Sequence, residues 1–518
     1  MRVPRRILWL PFGAALLVAQ FRESGSPELA ARLELETQPL LPARVYLFKD
    51  DRPFRLSPVD ATLPLRVDLF YRERLWKRAQ TPSVLEVTCN DISHFLLLNG
   101  RAGFDLPAGR YRIEAYRGLF YKPFREEFEL KAGQTSRVAL KLENWLGAGQ
   151  TEWLSGDDHI HLVRAPEDDP VFLAWMEAED LSVGNFLQLQ RQMDAAAQYG
   201  FGPKAEARRS GRSIRSGHES RSEFFGHVNL LGAREMVRPL SVGAMYANSP
   251  ETFPYPFVLF EMGRKLGATT GYAHFDGSMR HSTLLMDLAL GSIDFVEVFQ
   301  FGVLKTEQWY ELLNAGLKVT GIAGSDFPVS LNRHTQAKDW GRWIPLLGPE
   351  RYLRKATAGA SAYETWAEGV RRGEGLVTNG PVAELRVEGE MAIARARFYR
   401  PLERLEIVAN GAVIAAAPGG REALEVSARA PHSGPVWMAA RAIAPKQAGE
   451  PVIQAHTNPV YMRWDGTAPV PAARQAVARR WETQVEYYKT APLVFPEEGE
   501  RARFFARAAE AAARLRAN

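Results

Sequence analysis

Apolar and polar positions change rhythm twice along this chain, and the changes divide it into parts. From about Leu33 to Leu142 the rhythm has period two. In Phe104-Asp-Leu-Pro-Ala-Gly-Arg-Tyr-Arg-Ile-Glu-Ala-Tyr116 a Pro/Gly turn leads into alternation. Tyr111, Ile113 and Ala115 fall on one face, and Arg110, Arg112 and Glu114 on the other, the pattern of a half-buried strand. Phe124 to Leu130 alternates likewise, and Ala132-Gly133-Gln134 turns into a further strand over Val138 to Leu142. Short alternating strands with tight turns predict an immunoglobulin-like β-sandwich over residues 30–145.

From Trp153 the period lengthens. Leu173 to Gln192, Phe257 to Leu266 and Thr283 to Leu290 have helical spacing, and between them lie the strand-like runs Thr270–Ala273, Phe295–Phe299 and Val319–Ala323. Repeated β-then-α predicts parallel strands in an α/β barrel or layered sheet over residues 150–378, with chemistry at the C-terminal strand ends. After about Pro381 strands return: Asn410-Gly411 separates two apolar runs, a hairpin signal because that turn needs positive φ. A second β-sandwich is expected over 380–465. Residues 468–518 form a tail with helices over Ala472 to Lys489 and Arg501 to Arg516. The last is basic and amphipathic, and packing on the body is preferred to lying on an anionic surface. The fold class is therefore multidomain, α/β plus β.

At 518 residues the chain exceeds what one core accommodates, which agrees with several domains. Arg2, Arg5 and Arg6 precede the apolar stretch Ile7 to Ala19, too short to span a bilayer comfortably. A basic flank and a short apolar run predict a signal peptide over residues 1–22, hence a periplasmic or secreted protein with no stable membrane insertion after cleavage. Those three arginines also account for most of the cationic surplus: without them the net charge falls from +5 to +2. The pI of 9.1 is thus a weak argument for nucleic acid, which would call for a concentrated basic face, and nucleic acid is not the expected partner. The single cysteine, Cys89, excludes an intramolecular disulfide and a thiolate zinc finger, leaving imidazole and carboxylate as the route to a metal site.

Such groups recur where central strands should end. His159 and His161, in Ser155-Gly-Asp-Asp-His-Ile-His161, share one face of a strand, so both imidazoles reach one ion. In Ser216-Gly-His-Glu-Ser-Arg-Ser-Glu-Phe-Phe-Gly-His227 a carboxylate precedes a Gly-His that opens an apolar run. Glu219 is the expected bridge between two ions, with Glu223 as fallback and His218 as a neighbour. Arg208, Arg209, Arg212 and Arg215 are either an attractant for an anionic substrate or a solvated loop. His274 ends Gly271-Tyr-Ala-His274, Glu297 sits in Asp294-Phe-Val-Glu-Val-Phe as a ligand or a buried supporting group, and Asp326 follows a strand in Gly321-Ile-Ala-Gly-Ser-Asp326.

These runs together resemble the metal-binding motifs of PHP-domain enzymes. Ala178-Glu-Asp-Leu181, Trp366 and Val377-Thr-Asn-Gly-Pro381 look more narrowly like the carbaryl-hydrolase branch, the CehA/McbA family. The resemblance spans roughly residues 150 to 385. It implies a distorted (β/α) barrel, here flanked by the two sandwiches, and a cluster of divalent ions, Zn, Mn or Fe. Two departures weigh against a third ion. Asp326-Phe-Pro stands where many PHP domains have Asp-x-His, and Leu162-Val-Arg-Ala follows the histidine pair where an acidic residue is often found. One or two ions are expected: His159, His161 and Asp326 on one, His227 and His274 on the other, Glu219 bridging.

The implied activity is hydrolysis of a small-molecule ester, carbamate or amide by metal-activated water, with Asp326 taking the proton. Phosphoester hydrolysis is the rival, and a metal-containing periplasmic binding or scaffold protein the non-catalytic alternative.

Overall fold

The computed structural model describes residues 30–54, 65–67, 84–89, 93–190, 195–222, 224–238, 252–275, 281–328 and 342–517. The expected signal segment and the fallback ligand Glu223 lie outside the described residues. Among the described residues no helix is long and apolar enough to cross a membrane.

The N-terminal part builds two sheets. One orders Thr135–Lys141, Ala30–Gln38 and Arg101–Pro107; the other runs Leu65–Val67, Val84–Cys89, Ser93–Asn99, Pro42–Lys49, Gly109–Tyr116 and Phe124–Leu130. Leu33 and Leu35 of the first share a buried cluster with Val45, Ile113 and Ala115 of the second. The second sheet is covered on its other face too. Tyr46, Phe48, Phe95 and Tyr116 pack on Trp175 and Phe172 of the central part. That double burial corrects the expected outward face of Gly109–Tyr116. Glu114 is 3% exposed and accepts from Tyr116 Oη at 2.8 Å and from Arg342 Nη2 at 2.8 Å. Across the same contact Arg44 Nε lies 2.9 Å from Glu179 Oε1, both side chains fully buried.

We number the strands that carry the central part β1 (Trp153–Ile160), β2 (Val183–Gln190), β3 (Arg212–Ser222), β4 (Gly226–Leu231), β5 (Thr269–Tyr272), β6 (Phe295–Gln300) and β7 (Thr320–Ala323). β1, β2 and β3 pair in parallel, as do β5, β6 and β7. Past β7, Phe327 bridges Ile160 in parallel, so the run of pairings returns to the strand from which it started. The purely parallel reading fails at β4, which is antiparallel to both β3 and β5. The reason is loop length: only Glu223 to Phe225 separate β3 from β4, and a parallel crossover needs a dozen residues or more.

Helices α1 (Asp169–Ala178), α2 (Pro256–Lys265), α3 (Leu284–Leu290), α4 (Thr306–Asn314) and α5 (Ala362–Arg372) accompany these strands. The helix expected over Leu173 to Gln192 is instead α1 followed by β2. Asp180 takes φ 50° and ends the helix, and β2 is buried on both faces. A strand buried on both sides has no polar face to alternate, which hides its period. Trp366 of α5 lies under β1, where a Cβ on Gly156 would stand 2.2 Å from its Nε1; only glycine allows that approach.

Strand pairing runs without a break into the C-terminal part. Arg351–Lys355 pairs with β1 and with Leu376–Thr378, which pairs with Gln454–Thr457. The Thr378-Asn-Gly-Pro turn joins the two parts: Asn379 Nδ2 donates to Val452 O at 3.0 Å, and its Oδ1 accepts from Gln454 N at 2.8 Å. Asn410 and Gly411, at φ 47° and 86°, close the hairpin between Arg404–Ala409 and Ala412–Pro418, as the Asn-Gly pair requires. Helices α6 (Pro471–Thr490) and α7 (Glu498–Arg516) bury Trp481, Tyr488, Phe504 and Leu515 in the central core. The tail is thus packed on the body.

Candidate metal centre

Seven side chains from six strands or strand ends meet in one buried place. His159 is the last residue but one of β1 and His161 follows the strand; Glu219 lies on β3, His227 on β4, His274 just past β5, Glu297 on β6 and Asp326 just past β7. Strand alternation and cross-strand register explain the convergence. Glu219 and Arg221 are two apart on β3, and their partners on β4 are Asn229 and His227, so all four share one face. His218 falls on the other face of β3.

Glu219 is the hub. Its Oε2 lies 2.9 Å from His161 Nε2, and its Oε1 lies 3.0 Å from His227 Nδ1, 3.4 Å from His274 Nε2 and 3.6 Å from His159 Nε2. Asp326 Oδ1 is 3.5 Å from both His159 Nε2 and His161 Nε2, and its Oδ2 is 3.7 Å from His274 Nε2. Ligand atoms fall into four overlapping groups among the described residues: His159, His161 and Glu219; Glu219, His227 and His274; His159, His274 and Asp326; and Asp158, His159 and Glu297. All six expected ligands are brought together. The division differs in one respect, since Asp326 groups with His274 as well as with His159.

Three imidazoles are held from behind. His159 Nδ1 lies 3.1 Å from Glu297 Oε1, His161 Nδ1 3.3 Å from Leu187 O, and His274 Nδ1 2.7 Å from Gln300 Oε1. Each contact fixes the ring and leaves Nε2 facing the centre, the arrangement that orients metal-bound histidines elsewhere. Glu297 therefore supports His159 and also accepts from His274 N at 2.6 Å. The contacts from behind continue through Asp157, whose Oδ1 accepts from His159 N at 2.9 Å and Ser325 N at 3.0 Å, tying the Asp326 turn to β1. Gly324 makes room: a Cβ there would stand 2.2 Å from Asp158 Oδ1 and 2.6 Å from Glu297 Oε1.

The centre is closed on most sides. His159, His161 and Glu219 are fully buried, whereas the side chains of His227 and His274 are 13% and 12% exposed; the opening lies on their side. Burial opposes charge on His159, but Glu297 and Asp326 outweigh it and raise its affinity for a proton well above the ordinary range. Burial favours the neutral form of His227 and takes it down to about 4 despite Glu219. Burial likewise opposes ionisation of Glu219, yet Arg221, His161 and His227 hold its carboxyl well below the usual range. His274 and Asp326 both take φ 49°, a conformation costing about 1–3 kcal/mol in residues other than glycine and concentrated at functional sites.

The donor set fits a divalent cation. Glu219 Oε1, Asp326 Oδ1 and His227 Nδ1 are buried and form no hydrogen bond, although imidazole nitrogens stand within 3.0–3.6 Å of the two oxygens. The ligand atoms within each group lie within 4.8 Å of one another, close enough to share an ion, and leaving buried polar atoms unsatisfied is costly. Imidazole and carboxylate suit Zn, Mn or Fe.

Sequence reasoning missed Arg221, whose Nε donates to Glu219 Oε2 at 2.6 Å and whose Nη2 lies 3.7 Å from Asp326 Oδ1. The signal was its two-residue spacing from Glu219. It also missed Asp157, two residues before His159 by the same rule, and Gln300. The other arginines of β3 and the turn before it do not face the centre. Arg208 and Arg215 pair with Glu206, Arg209 with Glu177 and Arg212 with Asp180, with the Arg208 and Arg209 side chains 58% and 38% exposed and those of Arg212 and Arg215 14% and 5%.

No family model and no curated protein matches the sequence. Among solved structures the chain is similar, over 43% of its length, to PsfC from Pseudomonas syringae PB-5123, at 14% identity, with 94% of that chain covered and a TM-score of 0.28. Over 42% of its length it is similar to the lesion-specific endonuclease EndoQ from Pyrococcus furiosus, at 13% identity and TM-score 0.28. A further likeness, at 13% identity and TM-score 0.27, is to Endonuclease Q in complex with a 27-mer duplex carrying an abasic lesion at the active site. The match takes in 56% and 57% of those two endonuclease chains, a little over half of each.

Proposed function

We propose that this chain is a metal-dependent hydrolase built on a PHP-type distorted barrel, with immunoglobulin-like β-modules before and after it. The observation that carries the reading is the convergence of His159, His161, Glu219, His227, His274 and Asp326 with ligand atoms turned to one buried centre.

A divalent ion held there would supply Lewis acidity and lower the pKa of water from about 15.7 to about 7. The chain's own residues do the rest. Glu297, Leu187 O and Gln300 hold three rings in register, and the buried flanks exclude bulk water except on the His227 and His274 side. Asp326 Oδ1, buried and without a hydrogen bond, is placed to take a proton from the nucleophile. The bond cleaved is an ester, carbamate or amide of a small molecule, and one or two ions of Zn, Mn or Fe serve it. Phosphoester hydrolysis is the second reading, favoured by Arg221, a guanidinium beside Glu219 and Asp326 that suits an anionic group. Export to the periplasm or beyond belongs to the same proposal and rests on the N-terminal segment alone.

Metal analysis by ICP-MS, with parallel assays of p-nitrophenyl esters and phosphates, tests the reading. Bound transition metal and chelator-sensitive turnover of one substrate class are expected. A protein that neither holds nor takes up a divalent ion would sink it.

A further inference from the structure

The C-terminal part holds a cavity that the metal reading does not use. It encloses about 680 Å³ over the outward face of the sheet formed by Val382–Glu388, Met391–Arg397 and Ala423–Arg429. The other face of that sheet belongs to the core, where Ala392, Ala394, Ala396 and Leu424 are buried. Cross-strand register sets what the outward face carries. Val382, Arg397 and Ala423 stand opposite one another in one row, and Glu384, Arg395 and Glu425 in the next. Leu146, Trp153 and Pro418 close the sides. Trp153 opens β1 and His159 lies six residues on, about 20 Å along the strand. The cavity and the metal centre therefore sit at opposite ends of β1.

Each carboxylate lining the cavity already meets a cation. Arg395 Nε lies 2.5 Å from Glu425 Oε2, and Lys355 Nζ lies 2.6 Å from Glu384 Oε1 and 3.8 Å from Glu152 Oε2. With Lys355 included, four cations stand against three carboxylates. Two guanidiniums remain without an acidic partner among the described residues. Arg397 has one long contact, from Nη2 to Trp145 O at 3.4 Å, and the Arg421 side chain forms no hydrogen bond or ion pair. Register brings these two together. Arg421 lies two residues before Ala423, the partner of Arg397, and Phe398 N donates to Glu422 O at 2.8 Å, so the pairing extends to that end. Arg397 and Arg421 are thus diagonal neighbours, a spacing that long side chains bridge.

We propose that this cavity binds a small organic acid, with its carboxylate held by Arg397 and Arg421 and its ring-sized body resting on Val382, Ala423 and Leu146. Planar guanidinium donors match carboxylate oxygens in pairs, and the volume falls within the range of ligand sites, about 300–1,000 Å³. The paired Arg395 and Lys355 keep the neighbouring carboxylates from competing for the same two cations. Both free arginines are exposed, so solvent and salt weaken the attraction, and the body of the ligand supplies the remainder by apolar contact. None of the six expected metal ligands lines the cavity, and this site stands whether or not the centre holds metal.

The test is titration calorimetry on the full chain with three probes: benzoate, glucuronate and inorganic phosphate. Benzoate or glucuronate is expected to bind with a Kd of about 1 mM or lower, more tightly than phosphate, which lacks a body. The stronger of the two shows whether an apolar or a sugar ring is preferred. Arg397→Gln and Arg421→Gln are each expected to weaken that binding about tenfold, with metal content unchanged. Binding that survives both substitutions belongs elsewhere in the molecule and does not count for the cavity. The proposal fails if neither organic acid binds at about 10 mM, if both variants bind as wild type does, or if phosphate binds as tightly as the organic acids. Because both side chains are exposed the variants are expected to fold, which a melting scan checks; should one not fold, the other decides.

Discussion

Strand β3 is entered among four arginines and ends beside a fifth, and its two ends are built in opposite ways. At the start every guanidinium meets a carboxylate, although Nε of Arg212 and of Arg215 makes no hydrogen bond. Arg209 is held by both oxygens of Glu177 at 2.9 and 3.0 Å, Arg212 donates to Asp180 at 2.9 Å, and Arg208 and Arg215 converge on Glu206. At the other end Glu219 Oε1, Asp326 Oδ1 and His227 Nδ1, the candidate ligand atoms, are buried without hydrogen bonds. Satisfied charge is what a fold needs for stability; unsatisfied, convergent polar atoms mark a place kept for a ligand. Both ends sit on the same strand, so the difference reflects what each is for and not where it lies in the fold.

The largest effect that would break this contrast is at His159. His159→Ala removes a ring shared by three of the ligand groups, and turnover is expected to fall by at least about 10³-fold with loss of bound metal. Thermal stability of the metal-free protein should fall as well, because the buried Glu297 loses its partner at 3.1 Å, so metal content and rate per folded molecule are the deciding readouts. A variant that unfolds but, where folded, keeps its metal and its rate would put His159 in the structural class.

Glu206→Ala is the mirror experiment. It leaves Arg215, whose side chain is 5% exposed, with Glu364 Oε1 at 2.7 Å as its remaining carboxylate, and the loss of a charged hydrogen-bond partner for a buried group costs about 1–3 kcal/mol. Urea denaturation is expected to show that loss, with metal content and rate per folded molecule unchanged. Reduced metal content would mean that the two ends are coupled and the contrast false.

Chelation comes next. Saturating metal at about 100 times its dissociation constant stabilises the folded form by about 2.7 kcal/mol, so a melting scan after dialysis against EDTA should lie lower than one after reloading. A chain whose melting temperature ignores EDTA would have its convergent atoms satisfied in some other way.

A buried imidazole outside the centre behaves as the structural end does. His456 is fully buried, its Nδ1 is 2.7 Å from Thr457 O, and its Nε2 is bonded to the Tyr310 hydroxyl. Burial keeps it neutral, taking it from 6.5 down to about 4. The depressed value means that folding favours the neutral ring. The stability so gained is present above pH 6.5 and is lost as the pH falls from there towards 4, amounting to roughly 3 kcal/mol at most. His456→Gln should flatten the stability profile across that window, as read by denaturation at a series of pH values; an unchanged slope would show that other groups set it.

How much of this was legible beforehand depends on whether the signal was local. Asn410-Gly411 specifies its own turn, and the alternation of Tyr111, Ile113 and Ala115 shows in the residues themselves. The histidines at strand ends could be read because each sits beside a short apolar run. Helix and strand were confused over Leu173 to Gln192 because β2 is covered on both faces, and the direction of β4 depended on a short loop whose meaning is topological. The arginines misled for a related reason: their partners Glu177, Asp180 and Glu206 sit in neighbouring elements, and only the fold says which charges are already matched. Arg221 is the reverse case, an unremarkable residue in sequence whose position two places from Glu219 puts it at the centre.

The smallest effect sharpens the contrast within the structural end itself. Arg208 is paired with Glu206, with Nε at 2.7 Å, but its side chain is 58% exposed, and an exposed pair contributes about 0–1 kcal/mol. Glu206 keeps Arg215 and Ser213 when Arg208 is removed, so no buried charge is stranded. Arg208→Ala is therefore expected to shift the urea midpoint barely at all, and the shift should shrink further in high salt, where exposed charges are screened. It should also leave KM for an anionic p-nitrophenyl ester unchanged, since the side chain faces away from the centre. A rise in KM without a change in stability would return Arg208 to the role of substrate attractant and would mean that the start of β3 serves catalysis after all.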